Sequence, residues 1–139
     1  MNIDSITNGV VIDHISAGRG MQLYELLKLG QLGCPVAMIM NVNSKKLGKK
    51  DIIKIDADIP LNLDVIGYVD PKATVNIIVN GELIEKKSIE MPKVLTNVIH
   101  CKNPRCITTV EQELDQVFRL TDSDNNVYRC IYCEAKAGN

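Results

Sequence analysis

Tryptophan is absent from this 139-residue chain, phenylalanine occurs once (Phe118), and histidine twice (His14 and His100). A core without Trp must be filled by Ile, Val and Leu. With so little His, no Ser/His/Asp or Cys/His grouping offers nucleophilic catalysis. Neither a Gly-x-x-x-x-Gly-Lys-Ser/Thr loop nor a Gly-x-Gly-x-x-Gly turn is present, which removes the P-loop and the dinucleotide fingerprint. The formal charge of −1 argues against a protein that coats nucleic acid or binds an acidic membrane. Apolar runs such as residues 36–40 are far shorter than the ~20 residues that cross a bilayer. Residues 1–14 carry no basic segment followed by an apolar run, so no secretory leader is expected and the predicted location is cytoplasmic.

What the chain does have is cysteine in a pattern. Cys101-Lys-Asn-Pro-Arg-Cys106 and Cys130-Ile-Tyr-Cys133 form two short loops in the last forty residues. Four thiolates so spaced can surround one ion tetrahedrally, and the spacing reads as structural zinc. No His, Asp or Glu lies inside either loop, so the sphere would be closed to water and substrate. Such a metal holds structure together and performs no catalysis. The alternatives are two disulfides or free thiols, the former disfavoured in a reducing cytosol; four thiolates can also hold iron. The fifth cysteine, Cys34 beside Pro35, reads as a buried, inert thiol.

Periodicity divides the chain. Residues 9–15 are β-branched and bounded by turn residues, which predicts a strand. Residues 19–30 carry a broad apolar stripe, predicting a helix stopped by Gly30. Strands are predicted over 36–42 and 51–56, the latter with Ile53 and Ile55 on one face and Ile52 and Lys54 on the other. Residues 61–69, bracketed by Pro60 and Pro71, suggest a short helix. Two further strands, 73–79 and 82–85, flank Asn80-Gly81, the dipeptide that suits a type I′ hairpin.

This order predicts an α+β chain: a ferredoxin-like sandwich of antiparallel sheet and two helices over residues 1–92, then a small all-β zinc domain over 93–139. Fewer than fifty residues bury too little apolar area to fold unaided, and a metal supplies the deficit.

Lys45, Lys46, Lys49, Lys50 and Lys54, with Lys86 and Lys87, are the one local departure from even charge. Ammonium groups suit phosphate oxygens, although a lysine run alone is more often a solvated surface. The segments Gly-Val-Val-Ile-Asp-His-Ile (9–15), Gly-Lys-Lys-Asp-Ile-Ile-Lys-Ile (48–55), Pro-Lys-Ala-Thr-Val-Asn (71–76) and Cys-Ile-Tyr-Cys-Glu (130–134) add specificity. Together, through nearly the whole chain, they resemble the regulatory chain of aspartate carbamoyltransferase.

The resemblance implies a non-catalytic subunit whose first domain binds nucleotide effectors, CTP with UTP inhibiting and ATP activating. It implies one structural zinc in the second domain, catalytic chains as partners, and self-association as a regulatory dimer. By position, Asp13 matches a residue at the effector ribose, and His14 one near the phosphates. Lys54 matches the lysine reaching ribose and base, Lys86 the principal phosphate lysine, and Lys50 a second basic residue near the triphosphate. Asn76 matches a pocket residue, while Ile6, Val11, Ile52 and Leu83 match the lining. Asn103, Arg105 and Glu134 fall at the contact with the catalytic chain. Gly81 replaces a bulky aromatic near the base, Arg105 a small amide, and Ile131 a basic residue. The competing reading is a zinc-ribbon nucleic-acid module, for which Tyr128, Tyr132, Arg105 and Arg129 are a thin set beside Glu111, Glu113 and Asp115.

Overall fold

A computed structural model describes residues 6–138, and the chain separates into two compact units, Met1–Glu90 and Met91–Asn139. In the first, the elements run β1 (Gly9–Ser16), α1 (Gly20–Leu26), β2 (Val36–Ser44), β3 (Gly48–Ile55), α2 (Leu63–Val69), β4 (Thr74–Val79) and β5 (Glu82–Ser88). The sheet order is β2-β3-β1-β4-β5, antiparallel throughout. The first four strands and two helices follow the ferredoxin-like order, and β5 extends the sheet as a hairpin partner of β4.

One sheet face is the core. Val10, Ile12, Ile53, Ile55 and Val75 are at most 2 % exposed, and with Leu23, Val65, Ile66 and Val69 of the helices they form an aliphatic interior. Each such side chain contributes roughly 1.5–3 kcal/mol on burial, which a core without Trp must gather from many members. The alternation expected of β3 holds, with Lys54 and Ile52 turned to the other, partly open face.

The first helix is shorter than its pattern suggested. It ends at Leu26, and Lys28, not Gly30, takes the left-handed conformation at φ 56° before a 3₁₀ turn, Leu29–Gln31. Gly30 is needed for space instead: a Cβ there would stand 2.9 Å from the Tyr24 hydroxyl. The second helix starts at an Asn62 cap, whose Oδ1 accepts the Asp64 N–H at 3.0 Å. Asn80 and Gly81 both have positive φ, 52° and 78°, as a type I′ turn requires. Strand β5 runs three residues beyond its expected end. Cys34 is half-buried, not buried as expected, in a loop between exposed Gly33 and Pro35.

In the second unit, β6 (Val94–Thr96), β7 (Val117–Asp122) and β8 (Val127–Cys130) form a three-stranded antiparallel sheet. A four-residue helix, α3 (Ile107–Val110), interrupts the otherwise β character. Leu95, Phe118 and Tyr128 are its buried apolar centre, and the Tyr128 hydroxyl donates to the Pro92 carbonyl at 2.6 Å. Three large side chains make a small core, as the length of this unit foretold.

Candidate metal centre and effector face

The two cysteine turns are built by local backbone chemistry. In the first, Asn103 Oδ1 accepts the Arg105 N–H at 3.1 Å, and the Asn103 carbonyl accepts from Cys106 N and the Thr109 hydroxyl. This Asx turn folds Cys106 back toward Cys101, whose N–H is held by Gln116 Oε1 at 2.9 Å. In the second, Glu134 at φ 64° closes the turn with its N–H on the Cys130 carbonyl at 2.8 Å. Hence Asn103 and Glu134 have structural duties in the turns, while the Arg105 side chain is exposed.

The turns bring Cys101, Cys106, Cys130 and Cys133 together, with all four Sγ atoms within 4.8 Å of one another. Cys101 and Cys133 are 3.5 Å apart, Cys106 and Cys130 3.7 Å. Tetrahedral thiolates about 2.3 Å from zinc would be about 3.8 Å apart, so the donors fit the ion. All four are free thiols, which removes the disulfide reading.

Each turn pairs a raised thiol with a lowered one. Burial pushes Cys101 up to about 12, while the Thr108 hydroxyl and then its N–H hold Cys106 below the usual thiol range. Burial likewise raises Cys130, and the Ala135 N–H brings Cys133 down to about 6. Within each turn the lowered thiol is the readier of the two to lose its proton to an arriving ion.

In the first unit, strand register assembles most of the candidate effector residues. Lys54 pairs with Val11, Val11 with Asn76, and Asn76 with Lys86. Paired residues share a face, so these four form one transverse row on the face turned away from the core. Lys87 pairs with Val75 and points to the opposite side; register therefore separates two adjacent lysines that look equivalent in sequence. Asn76 Oδ1 is buried and has no hydrogen-bond partner among the described residues. An unmade bond of that kind costs about 1–3 kcal/mol and marks a position awaiting a donor.

Beyond the row, Gly9, Ile78 and Leu83 face each other across β1, β4 and β5. Ile6 packs over Gly9, since a Cβ there would lie 2.8 Å from its Cγ2 and against the Ile55 carbonyl. Leu83 is 58 % exposed, an apolar side chain on an open surface. At the other end a β-bulge in β1 carries Asp13 and His14, the latter at φ 58°. His14 Nδ1 is 3.2 Å from the Thr74 hydroxyl, and Lys50 Nζ is 2.9 Å from Asp13 Oδ1. Burial raises the Asp13 carboxyl, but the hydrogen bond from Lys50 and the His14 N–H outweigh it and hold the group below its ordinary value. Asp13 is therefore an ionised acceptor. Ile52 lies between these ends on the same face.

Two residues escaped the sequence reading. Asp51 and Asp70, 0 % and 1 % exposed, spend their carboxylates on backbone N–H groups, Asp70 accepting from Ser16 and Lys72. Neither a lone Asp in a strand, as Asp51 is, nor one just past a helix, as Asp70 is, gives a periodic sign of that use. A cavity of about 500 Å³ lies on the core side of the sheet beneath residues 58–63 and is not formed by the row.

A sheet unit with a basic, polar face joined to a unit that gathers four thiolates defines a two-part chain with a structural metal site. Residues 1–90 match the family description "Aspartate carbamoyltransferase regulatory chain, allosteric domain", and residues 93–139 the corresponding "metal binding domain". The regulatory chain of Clostridium botulinum is 48 % identical over 134 residues, covering 96 % of this chain and 92 % of that one. The chain from Clostridium acetobutylicum is 46 % identical with the same coverage, and that of Bifidobacterium longum 44 % over 137 residues, 99 % of both. The chain belongs to the family of aspartate carbamoyltransferase regulatory chains. It is a non-catalytic, allosteric subunit with a metal-binding domain that fits one structural zinc, and its class implies catalytic chains as partners. No helix among the described residues is long and apolar enough to cross a membrane.

Proposed function

We propose that this chain binds the nucleoside triphosphates CTP, UTP and ATP on the open face of residues 1–92, and that occupancy changes how residues 93–139 engage the catalytic chains. The observation that carries this reading is the row Lys54–Val11–Asn76–Lys86, with its unpartnered buried amide oxygen. Lys86 and Lys50 offer charge to a triphosphate, and His14 a ring nitrogen. Ionised Asp13 accepts from ribose hydroxyls, with Lys54 between ribose and base. Ile6, Val11, Ile52 and Leu83 cover the apolar faces. Gly81, without a side chain, leaves the base edge to backbone groups other than its own N–H, which donates to Thr7 O at 2.8 Å.

Zinc, when bound, supplies a rigid four-sulfur anchor for the second unit. Ile107, Val110, Ile131 and Tyr132, all at least 44 % exposed, stand on or beside the two cysteine turns. With Asn103, Arg105 and Glu134 they make the surface that docks on the catalytic chain. Residues 1–92 also associate as a regulatory dimer, and the assembly works in the cytoplasm. Regulation of this kind needs two states of the assembly and is typically worth ~1–3 kcal/mol. The test is activity of the enzyme reconstituted with catalytic chains, with and without CTP and ATP. A changed aspartate saturation curve supports the reading, and nucleotide binding without any change in activity removes the regulatory claim.

A further inference from the structure

We infer that Asp51 is a positioning residue of the nucleotide site, an inference that rests on the nucleotide-binding reading above. Asp51 faces the core, between Lys50 and Ile52, which face the ligand side. Its Oδ2 accepts from Gly18 N at 3.1 Å and Gly20 N at 3.0 Å, and its Oδ1 from Asn41 N at 3.1 Å. These donors come from two separate places. Gly18 and Gly20 follow the bulged end of β1, and Asn41 sits in the β2 bulge.

The two bulges bracket β3. In β1, residues 13 and 14 stand against Ile52; in β2, residues 40 and 41 stand against Asp51. Each bulge holds a residue in the left-handed region, His14 at φ 58° and Asn41 at φ 62°, a conformation that L-residues hold only when their surroundings impose it. The carboxylate is the part shared by both sides. It takes the N–H of the bulged Asn41 and ties it to the turn leaving the other bulge. The Asp13–Lys50 contact lies between these anchors, so Asp51 fixes the charged end of the site without touching a ligand. Lys86 and Asn76, on β5 and β4, lie outside the clamp.

An amide in place of the carboxylate can accept from one side of the clamp but not both, because its nitrogen repels the other donor. In the full-length chain, Asp51→Asn is expected to weaken CTP binding about tenfold by calorimetric titration. A merely structural residue would weaken binding equally in every background. Here the loss should vanish when Lys50→Ala is already present and persist in full alongside Lys86→Ala, a pattern read from double-mutant cycles. Gly20→Ala is the second variant, because its Cβ would stand 2.8 Å from Asp51 Oδ2 and displace the carboxylate without removing it. It should show the same dependence on Lys50, and it carries the test if Asp51→Asn fails to fold. Equal CTP affinity in the unmodified and both variant chains, or losses that add in both lysine backgrounds, overturns the positioning role. Absence of CTP binding by the unmodified chain overturns the nucleotide reading first and this inference with it.

Discussion

Lys50 Nζ lies 2.9 Å from Asp13 Oδ1, and the pair joins β3 to the bulge of β1 with side chains only 16 % and 21 % exposed. Its pH dependence follows from the lowered carboxyl of Asp13. A group whose folded pKa lies below its unfolded value of about 3.9 stabilises the fold above that value, and the contribution disappears as pH falls through the folded pKa. Thermal melting of the chain between pH 7 and 3 should therefore show a loss at the acid end that is smaller in Asp13→Asn. Identical acid slopes for the two proteins would mean that the contact carries no linked stability.

Register predicts an asymmetry between neighbouring lysines. Lys86 shares the face turned away from the core with Asn76, whereas Lys87 pairs with Val75 on the other side. Removing a charge-assisted phosphate contact costs about 1.5–3 kcal/mol, so Lys86→Ala should weaken CTP binding roughly tenfold to a hundredfold and flatten its salt dependence. Lys87→Ala should leave the affinity within about twofold of the unmodified chain, allowing only long-range charge effects screened by salt. Titration of both variants at two ionic strengths decides the matter, and equal losses would contradict the face assignment.

The features that were legible in the sequence were those written locally. The alternation of β3, the Asn80-Gly81 turn and the two cysteine loops each depend on residues close together in the chain, and each stands as read. The end of α1 was misplaced because Gly30 looked like a cap, while Lys28 takes the left-handed turn and Gly30 yields room for Tyr24. Single-residue excursions of that kind follow from packing and not from propensity. Asp51 and the bulges beside it were invisible for a related reason: a carboxylate bound to backbone N–H groups from residues 18, 20 and 41 leaves no mark in the spacing of side-chain types.

Gly9 should tolerate no side chain. A Cβ there would run into the Ile55 carbonyl and stand 2.8 Å from Ile6 Cγ2 and 3.3 Å from Ala57 N. Backbone atoms cannot turn aside as a flexible side chain can, so β1 and β3 would have to part. Overpacking of this kind costs typically 1–3 kcal/mol. Gly9→Ala is thus expected to lower the urea midpoint of the chain by a corresponding amount and to disturb the packing of Ile6. An unchanged midpoint would show that β1 can shift at no cost.

Metal removal should divide the molecule. The second unit rests on three large buried side chains and the four-sulfur cluster, while the first has an extended aliphatic core independent of both. Apparent binding free energies of structural zinc are on the order of 10–16 kcal/mol, comparable with the whole stability of a small domain. Mercurial or chelator treatment should therefore unfold residues 93–139, release the catalytic chains, and leave the first unit melting as before. Cys130→Ser should do the same without a reagent, since it removes a buried ligand at the end of β8 whose N–H also holds the Ala135 carbonyl at 3.0 Å. Zinc content, near-ultraviolet circular dichroism around Tyr128 and Tyr132, and gel filtration with catalytic chains read the three steps separately. Retention of the complex after complete loss of zinc would mean that the docking surface is organised by the β-sheet alone, and that the cysteines serve another purpose.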